Sequence, residues 1–196
     1  ISHDLRTPLT RLKLQLAMLK QKDISESMSK DINEMEKMLN DYLQFAKTQA
    51  QEPSTMINLN NLLTSIVNRS NSDKITFFHK EDNMIDLKGR PTALQRSFEN
   101  IIQNGLTYGN KVYISLIKGN RLATIIFEDD GPGIPEEQYK NVFKPFFRLD
   151  KSRSLNRSGV GLGLAIVEDV INSHGGIIQL GKSKKKGLLV KVSLPF

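Results

Sequence analysis

The sequence predicts an antiparallel helical hairpin followed by an α+β sandwich domain. Up to about residue 50, apolar residues recur at alternating spacings of three and four, as in packed helices. After residue 56, short alternating strand patterns are interspersed with helical ones, and a polar stretch containing Pro53 lies between the two patterns. We therefore assign residues 1–50 to the hairpin, 51–56 to a linker and 57–196 to the sandwich domain.

The hairpin carries an apolar stripe on each of its two helices. Two such stripes bury too little apolar surface for a stable isolated hairpin, so we expect a second copy to complete a dimeric four-helix bundle. The alternative is a hairpin packed on its own second domain. The stripe residues are Leu5, Leu9, Leu12, Leu16 and Leu19 in the first helix, and Met28, Ile32, Met35, Leu39, Tyr42 and Ala46 in the second.

The second domain reads as an ordered series of helices and strands. A proline at the expected first helical turn begins the central helix, and glycine pairs or Gly-Asn mark the turns. The expected elements are a helix at 59–70, strands at 75–80 and 83–89, a helix at 91–109, two strands within 111–131, a short helix at 135–143, a helix at 161–176 and a final hairpin.

Composition narrows the chemistry. The chain of 196 residues has no cysteine, which excludes disulfides, zinc thiolate sites and thiol catalysis. Its formal charge of +7 indicates an acidic partner or a polyphosphate ligand. The basic residues are scattered apart from 151–157 and 182–186, so we expect no nucleic-acid binding and interpret the second run as a solvated hairpin tip. No apolar run approaches the ~18 residues that a membrane span needs.

The first helix places three chemically useful side chains on its wet face. With Leu5 and Leu12 at heptad position d, residues His3, Asp4 and Thr7 fall at positions b, c and f. A histidine on such a face is usually only solvated. Here, however, Asp4 can orient the imidazole and take up its proton, and Pro8 removes an N–H, so the helix should bend or loosen. A neutral imidazole can attack phosphorus, which requires a phosphoryl donor.

Three clusters in the second domain are suited to binding a nucleotide. Asn100 and Asn104 are four residues apart on one helix face and could hold a hard cation. The segment "DDGPGI" (129–134) ends a strand, where a carboxylate can accept a purine amino group. The segment "GVGLGLAIV" (159–167) offers backbone N–H groups and a helix N-terminus to phosphates. It is not a dinucleotide fingerprint, because Leu164 stands where the third glycine is needed.

The ordered set of motifs resembles that of sensor histidine kinases across essentially the whole chain. "SHDLRTPLTRL" resembles the phosphoacceptor H box, "NIIQNGLTYGN" the N box, "DDGPGI" the G1 box, "FKPFFR" (143–148) the F box and "GVGLGLAIV" the G2 box. Within that family the motifs are most similar to those of EnvZ-like osmosensing members. The resemblance implies an ATP-binding sandwich of the GHKL, or Bergerat, type.

The resemblance also implies a role for each matching residue. His3 would accept the phosphoryl group, Asp4 would act as general base, and Thr7 would position a water for dephosphorylating the partner. Asn104, assisted by Asn100, would coordinate Mg²⁺. The remaining residues would bind ATP: Tyr108 and Asp129 at the adenine, Gly131 and Gly133 shaping that pocket, Gly159, Gly161, Gly163 and Leu164 at the triphosphate, Arg148 near the γ-phosphate, and Lys151, Arg153 and Arg157 in a lid spanning 144–158.

Two residues depart from the family pattern, and two rival functions remain. Thr107 stands where many relatives have Lys or Arg, and Gly105 where Ala is common. One rival is an ATP hydrolase of the Hsp90, gyrase and MutL group, but those carry a glutamate base where this chain has Asn100. The other is a degenerate dimerisation and docking module without kinase activity, which only Thr107 and Gly105 favour.

The resemblance implies partners and a location as well. The partner would be the receiver domain of a response regulator, with an OmpR-like protein as the specific candidate, alongside a second copy of the chain. Because the chain starts at Ile1 inside an apparent helix, we expect a fragment of a longer protein. It would be the cytoplasmic portion of an inner-membrane sensor, attached to the membrane only through segments upstream.

Overall fold

The computed structural model of the protein divides into two compact units, Ile1–Gln51 and Glu52–Phe196. Within the part of the chain that is described, every helix is too short or too polar to span a membrane. Side chains of residues 2–8 and 17 are excluded from the description. The described residues are 2–17, 28–29, 32–33, 35–36, 39, 52–70, 73–79, 84–149 and 161–196.

The first unit contains helix α1 (Ser2–Ala17) and helical residues between positions 28 and 39. Leu9, Leu16 and Ile32 form its buried cluster, against which Leu39 packs, and Lys13 forms an ion pair with Glu36. These contacts join the two predicted helices.

Other members of the predicted stripe are solvent-exposed within a single chain. Leu12 is 42% exposed and Met35 is 53% exposed. The side chain of Leu5, and Leu19, Tyr42 and Ala46, lie outside the described residues. One chain therefore leaves part of its apolar stripe uncovered.

The second unit is an α+β sandwich built on a five-stranded sheet of order β2-β4-β5-β7-β6, with a separate two-stranded sheet β1-β3. The β2-β4 pair is parallel and the other pairs of the large sheet are antiparallel. The elements are β1 (Thr55–Asn58), α2 (Leu59–Ser70), β2 (Ile75–Phe78), β3 (Asp86–Gly89), α3 (Pro91–Tyr108), β4 (Val112–Lys118), β5 (Leu122–Asp129), a 3-10 helix (Glu136–Gln138), α4 (Gly163–Ser173), β6 (Ile177–Lys182) and β7 (Leu188–Pro195).

One face of the large sheet forms the core. Alternate residues of β4, β5 and β7 are buried, as the period of two in a strand requires. Helix α3 packs against β4, β5 and α4, and the rings of Phe98 and Phe127 lie 5.8 Å apart across this interface. This packing places α3 against β5 and α4, the elements that carry the motifs at 129–134 and 159–167.

The N-terminus of α3 is held by a residue distant in sequence. Pro91 occupies the first turn, and the Glu52 carboxylate accepts hydrogen bonds from the backbone N–H groups of Thr92 at 2.6 Å and Ala93 at 3.0 Å. A carboxylate at this end of a helix satisfies unpaired donors and complements the helix dipole.

The structure differs from the sequence expectations at several elements, among them β3, which begins at Asp86. Thr55 and Met56, assigned to the linker, pair with β3 as part of β1, a strand that the sequence did not predict. The expected helix at 135–143 is only the short 3-10 helix followed by turns. The last helix is shorter than expected and begins at Gly163.

Candidate nucleotide-binding site

Asp129 is the central acidic group of the site. It ends β5, is 8% exposed, and its Oδ1 accepts hydrogen bonds from the N–H groups of Gly131 at 2.8 Å and Leu188 at 3.1 Å. Burial raises the pKa of Asp129, and these two bonds partly offset that rise. The carboxylate is therefore oriented by the protein's own backbone.

The adjacent carboxylate, that of Asp130, is bound to a different part of the backbone. Asp130 Oδ1 accepts hydrogen bonds from the backbone N–H groups of Asn110 at 2.6 Å and Lys111 at 2.9 Å. These bonds lower the pKa of Asp130, in contrast to Asp129. Asp130 thus ties the segment after α3 to the end of β5, a division between the two aspartates that the motif "DDGPGI" does not reveal.

The glycines beside Asp129 allow close backbone approach. A Cβ at Gly131 would lie 2.9 Å from the Tyr108 carbonyl oxygen and 3.0 Å from Asp129 Oδ1, tighter than ordinary contacts. Gly133 has φ 73°, a conformation that favours glycine. Tyr108, at the end of α3, is 54% exposed, so its ring is accessible to a ligand.

The predicted cation and phosphate groups meet on the other side of this region. Asn100 and Asn104 lie one turn apart on α3, and a Cβ at Gly163 would be 3.7 Å from Asn104 Nδ2. Thus the asparagine motif and the start of α4 are neighbours. Among the described residues no group of three or more His, Asp or Glu side chains could hold a metal ion.

The start of α4 is suited to bind an anion. Leu162 precedes the helix and forms no side-chain cap among the described residues, so the first N–H groups, including those of Gly163 and Leu164, are not capped in that way. Gly161 has φ 75°, and its carbonyl accepts a hydrogen bond from the N–H of Phe146 at 2.9 Å. The phenylalanine and glycine motifs are thereby joined directly.

The structure explains one of the two departures from the family pattern. Gly105 is buried, and a Cβ there would lie 2.6 Å from Val112 Cγ2 and 3.4 Å from Asp129 Cβ. The space that an alanine methyl would occupy is thus taken by Val112. Thr107 donates a hydrogen bond from its hydroxyl to the Gln103 carbonyl at 2.7 Å, within its own helix.

Several predicted residues lie outside this description. His3, Asp4 and Thr7 belong to α1, which is continuous through Pro8, but their side chains are not described. Lys151, Arg153, Arg157 and Gly159 also lie outside the described residues. The structure therefore brings together the 129–134 motif, the asparagine motif, Gly161, Gly163 and Leu164, and the segment ending at Arg148.

Sequence reasoning missed the contribution of the β6–β7 hairpin. Leu188 donates to Asp129, and Glu128 accepts hydrogen bonds from Ser183 Oγ at 3.2 Å and Lys184 N at 3.0 Å. The run at 182–186 is predicted to be a solvated hairpin tip. The side chains of Lys184, Lys185 and Lys186 are indeed exposed, but the backbone N–H of Lys184 is bound to Glu128. Only the glycine that ends the run could have drawn attention to the segment.

Comparisons with known proteins agree with this arrangement. Residues 89–196 match the family model for "Histidine kinase-, DNA gyrase B-, and HSP90-like ATPase", and residues 1–51 match "His Kinase A (phospho-acceptor) domain". The chain is 35% identical to sensor histidine kinase GtrS of Pseudomonas aeruginosa and 33% identical to sensor histidine kinase CpxA of Escherichia coli. Both alignments cover the whole chain, but only 40% and 45% of those proteins, so the chain spans less than half of their length.

Solved structures give the same answer. The histidine kinase domain of the E. coli osmosensor EnvZ is 35% identical, with a TM-score of 0.58 over 74% of this chain and 91% of that one. ShkA matches all of this chain and 44% of its own, with a TM-score of 0.70 and 19% identity, which supports the fold alone.

The fold and the motif order define a phosphoacceptor helical unit followed by an ATP-binding sandwich of the predicted class. The chain belongs to the sensor histidine kinase family and is a catalytic core of the EnvZ-like kind. This confirms the predicted fold class and family, and the family match supports ATP as the ligand of the second unit.

Proposed function

We propose that this chain autophosphorylates His3 with ATP and passes the phosphoryl group to an aspartate of a response-regulator receiver domain. The observation that carries the proposal is the oriented, buried Asp129 carboxylate in a chain whose first unit matches the phosphoacceptor model. An aspartate with one oxygen fixed by backbone donors can receive the amino group of adenine at the other. The first unit would thus supply the phosphoryl acceptor, and the second unit would bind ATP, the phosphoryl donor.

The nucleotide would bind along the surface that runs from the end of β5 to the start of α4. Asp129 would accept the adenine amino group, Tyr108 would pack against the ring, and Gly131 and Gly133 would shape the pocket. Gly161, Gly163 and Leu164 would bind the triphosphate through backbone N–H groups. Lys151, Arg153, Arg157 and Gly159 would contribute from the lid, with Arg148 near the γ-phosphate.

Magnesium fits the proposed site as a phosphate-bound ion. Mg²⁺ takes few protein ligands and shares its coordination with substrate phosphates, and an amide oxygen from Asn104, beside Gly163, is a suitable ligand. Asn100, one turn earlier, would assist, directly or through a water. The ion would neutralise charge on the phosphates during transfer.

The first unit would provide the nucleophile. A neutral His3 nitrogen would attack the γ-phosphorus, forming an N–P bond while the bond to the ADP oxygen breaks, and Asp4 would take up the imidazole proton. The receiver aspartate would then attack the phosphohistidine. Thr7, one helical turn from His3, would position a water molecule that hydrolyses the aspartyl phosphate of the receiver. This reaction would switch the signal off.

Dimerisation and location complete the proposal. Exposure of Leu12 and Met35 on one chain supports a second copy covering the stripe in a four-helix bundle. An OmpR-like regulator is the proposed receiver, attracted by the net charge of +7. The full-length protein would be an inner-membrane sensor, with this core on the cytoplasmic side, as in a sensor kinase.

The proposal is tested by incubating the chain with Mg²⁺ and γ-labelled ATP. We expect acid-labile, base-stable label on the protein, absent in His3→Ala and retained in the matched control His79→Ala, whose histidine is exposed at the end of β2. Full labelling of His3→Ala would overturn the proposal. ATP binding without label would favour the docking module, and steady phosphate release without label would favour the hydrolase.

The division between kinase and phosphatase roles needs its own variant. We expect Thr7→Ala to keep autophosphorylation and to lose dephosphorylation of a phosphorylated receiver. Equal loss of both activities would contradict the role proposed for Thr7.

A further inference from the structure

Gly187 is buried at the end of the hairpin that joins β6 and β7, although Lys184, Lys185 and Lys186 just before it are exposed. Its N–H donates to the Asp129 carbonyl oxygen at 3.2 Å, and the N–H of Leu188 donates to Asp129 Oδ1 at 3.1 Å. The hairpin backbone therefore contacts Asp129 twice, across a long separation in sequence.

Position 187 has no room for a side chain. A Cβ there would overlap Asp129 Oδ1 and the Asp129 carbonyl oxygen and would lie 2.6 Å from Gly131 N. These are backbone atoms and a short carboxylate already held by two hydrogen bonds. None of them can move aside without breaking the bonds that orient Asp129.

Backbone conformation does not explain this glycine. The glycines with positive φ in the described residues are Gly133, Gly161 and Gly175, so Gly187 adopts a conformation open to other residues. A side chain at position 187 is therefore excluded by the nearby Asp129. The glycine is required by the packing around Asp129 and not by the conformation of the turn.

Glu128 fixes the hairpin from the other side. Its Oε1 accepts from Ser183 Oγ and from the N–H of Lys184. Ser183 is itself only 7% exposed, and its N–H donates to the Gly187 carbonyl at 3.0 Å. The turn is thus held against the end of β5 at both of its ends.

We propose that Gly187 is a positioning residue for purine recognition, acting through Asp129. Because Gly187 lacks a side chain, the hairpin can close and place the N–H of Leu188 on Oδ1, beside the N–H that Gly131 donates from the turn after β5. Both hydrogen bonds that the Asp129 carboxylate accepts from described residues go to Oδ1. Oδ2 of Asp129 is thus left oriented for the purine 6-amino group. This inference rests on the proposed ATP binding and identifies what sets its base preference.

The test compares ATP with purine riboside triphosphate, which lacks the 6-amino group, by calorimetric titration of the whole chain with Mg²⁺. A hydrogen bond to a charged group corresponds to roughly a 10- to 100-fold preference for ATP in the wild type. We expect Gly187→Ala to bring this preference close to one while affinity for the analogue is kept. Gly181→Ala is the matched control, since its Cβ would meet only Leu189 atoms at 3.7 and 4.0 Å.

Each other outcome is decisive. An unchanged ATP preference in Gly187→Ala, or equal weakening of both nucleotides, would overturn the positioning role. A wild type that binds neither nucleotide would overturn the proposed function, and this inference with it. A wild type that binds both equally would overturn the inference and the adenine contact proposed for Asp129, but not autophosphorylation, because labelling of His3 does not depend on base preference.

A further variant keeps the test valid if Gly187→Ala does not fold, and a double variant sharpens the test if it does. Glu128→Ala releases one anchor of the hairpin without adding atoms, and we expect it to lower the ATP preference by a smaller factor. In an Asp129→Asn background, Gly187→Ala should change the preference by less than about twofold, because a residue acting through Asp129 is not additive with it. Additive losses, or no effect of Glu128→Ala, would contradict the proposal.

Discussion

The two ends of the proposed nucleotide site are built differently. At the proposed purine end, Asp129 is oriented by backbone N–H groups from Gly131 and Leu188, so its hydrogen bonds are already formed within the protein. At the proposed phosphate end, α4 begins after Leu162 without a side-chain cap among the described residues. The N-terminus of α3, by contrast, already holds the Glu52 carboxylate.

If the proposed nucleotide site is correct, this difference separates two of its functions. A preorganised purine end loses little conformational freedom on binding and can discriminate between bases. An uncapped helix N-terminus gains hydrogen bonds only when a ligand or water arrives, and it attracts any anion. Base preference and phosphate affinity should therefore respond to different substitutions, and the following variants test that separation.

The largest effect is expected for Asp129→Asn. The amide oxygen can still accept from Gly131 and Leu188, but an N–H₂ group now faces the purine and repels the adenine amino group. We expect ATP affinity to fall roughly 100-fold, as for an unpaired buried donor added to a lost charged hydrogen bond. Inosine triphosphate, with a 6-oxo acceptor, should instead bind the variant better than ATP.

Asp130→Asn is the control for that inversion. Its carboxylate is directed to Asn110 and Lys111, so the variant should retain preference for ATP over inosine triphosphate. Competition titrations of both variants against a fluorescent nucleotide measure the preference. If Asp129→Asn kept its preference for ATP, the carboxylate would not be the base-reading group.

At the phosphate end, Gly161→Ala should weaken phosphate binding. Gly161 has φ 75°, and a Cβ there would lie 2.8 Å from the Phe147 carbonyl oxygen. The backbone contacts between Gly161 and the phenylalanine segment must therefore shift. We expect affinity for ATP and inosine triphosphate to fall together, by roughly tenfold for about 1–2 kcal/mol of strain carried into the site.

Gly175→Ala provides a control with matched backbone geometry. Gly175 has φ 70° at the end of α4, but its Cβ would meet only Pro195 Cγ at 3.6 Å. This variant should lose stability, by about 1 kcal/mol, with nucleotide affinity unchanged. Equal loss of affinity in both variants would show that strain anywhere in the domain, not the phosphate end, is responsible.

The sequence predicted those parts of the fold whose signals are local. The apolar spacing in 59–70 and the proline at position 91 fixed two helices nearly to the residue, and Gly119-Asn120 marked the turn between β4 and β5. The motif clusters likewise singled out Asp129 and Asn104, whose roles in the site are proposals. Each of these signals lies within a window of a few residues.

What the sequence did not predict depends on contacts between distant segments. Strand β1 exists because Thr55–Asn58 pairs with β3, and Glu52 was assigned to a linker although it binds the start of α3. Gly187 and Glu128 matter only because the last hairpin folds back on β5. Such pairings leave no periodic pattern in the local sequence. From the sequence alone, the segments that form them therefore resemble turns and surface residues.

The purine end should also tolerate little added volume beneath it. Gly105→Ala places a methyl group 2.6 Å from Val112 Cγ2 and 3.4 Å from Asp129 Cβ, so we expect a loss of about 1–3 kcal/mol in the free energy of unfolding. Adding Val112→Ala vacates that space and should recover part of the loss, a non-additive result in a urea-unfolding cycle. Strictly additive losses would contradict this account of Gly105.

The smallest effect is a difference in the pH dependence of stability between the two adjacent aspartates. The pKa of Asp130 is lowered in the folded state, so its contribution is present above the unfolded value near 3.8 and is lost as pH falls through the lower folded pKa. The pKa of Asp129 is raised, so the folded state binds a proton more readily, and the contribution of this group to stability decreases as pH rises through the window above 3.8.

Urea unfolding of the wild type, Asp129→Asn and Asp130→Asn between pH 3 and pH 7 should resolve these opposite signs. Relative to wild type, the deficit of Asp130→Asn should shrink toward acid, because the lost carboxylate would be protonated there in any case. Any deficit of Asp129→Asn should instead grow as pH falls into the window above 3.8, because the wild type gains stability by protonation that the amide cannot match. Parallel curves for the two variants would mean that the aspartates share one environment, and the contrast between a base-reading and a backbone-tying carboxylate would fail.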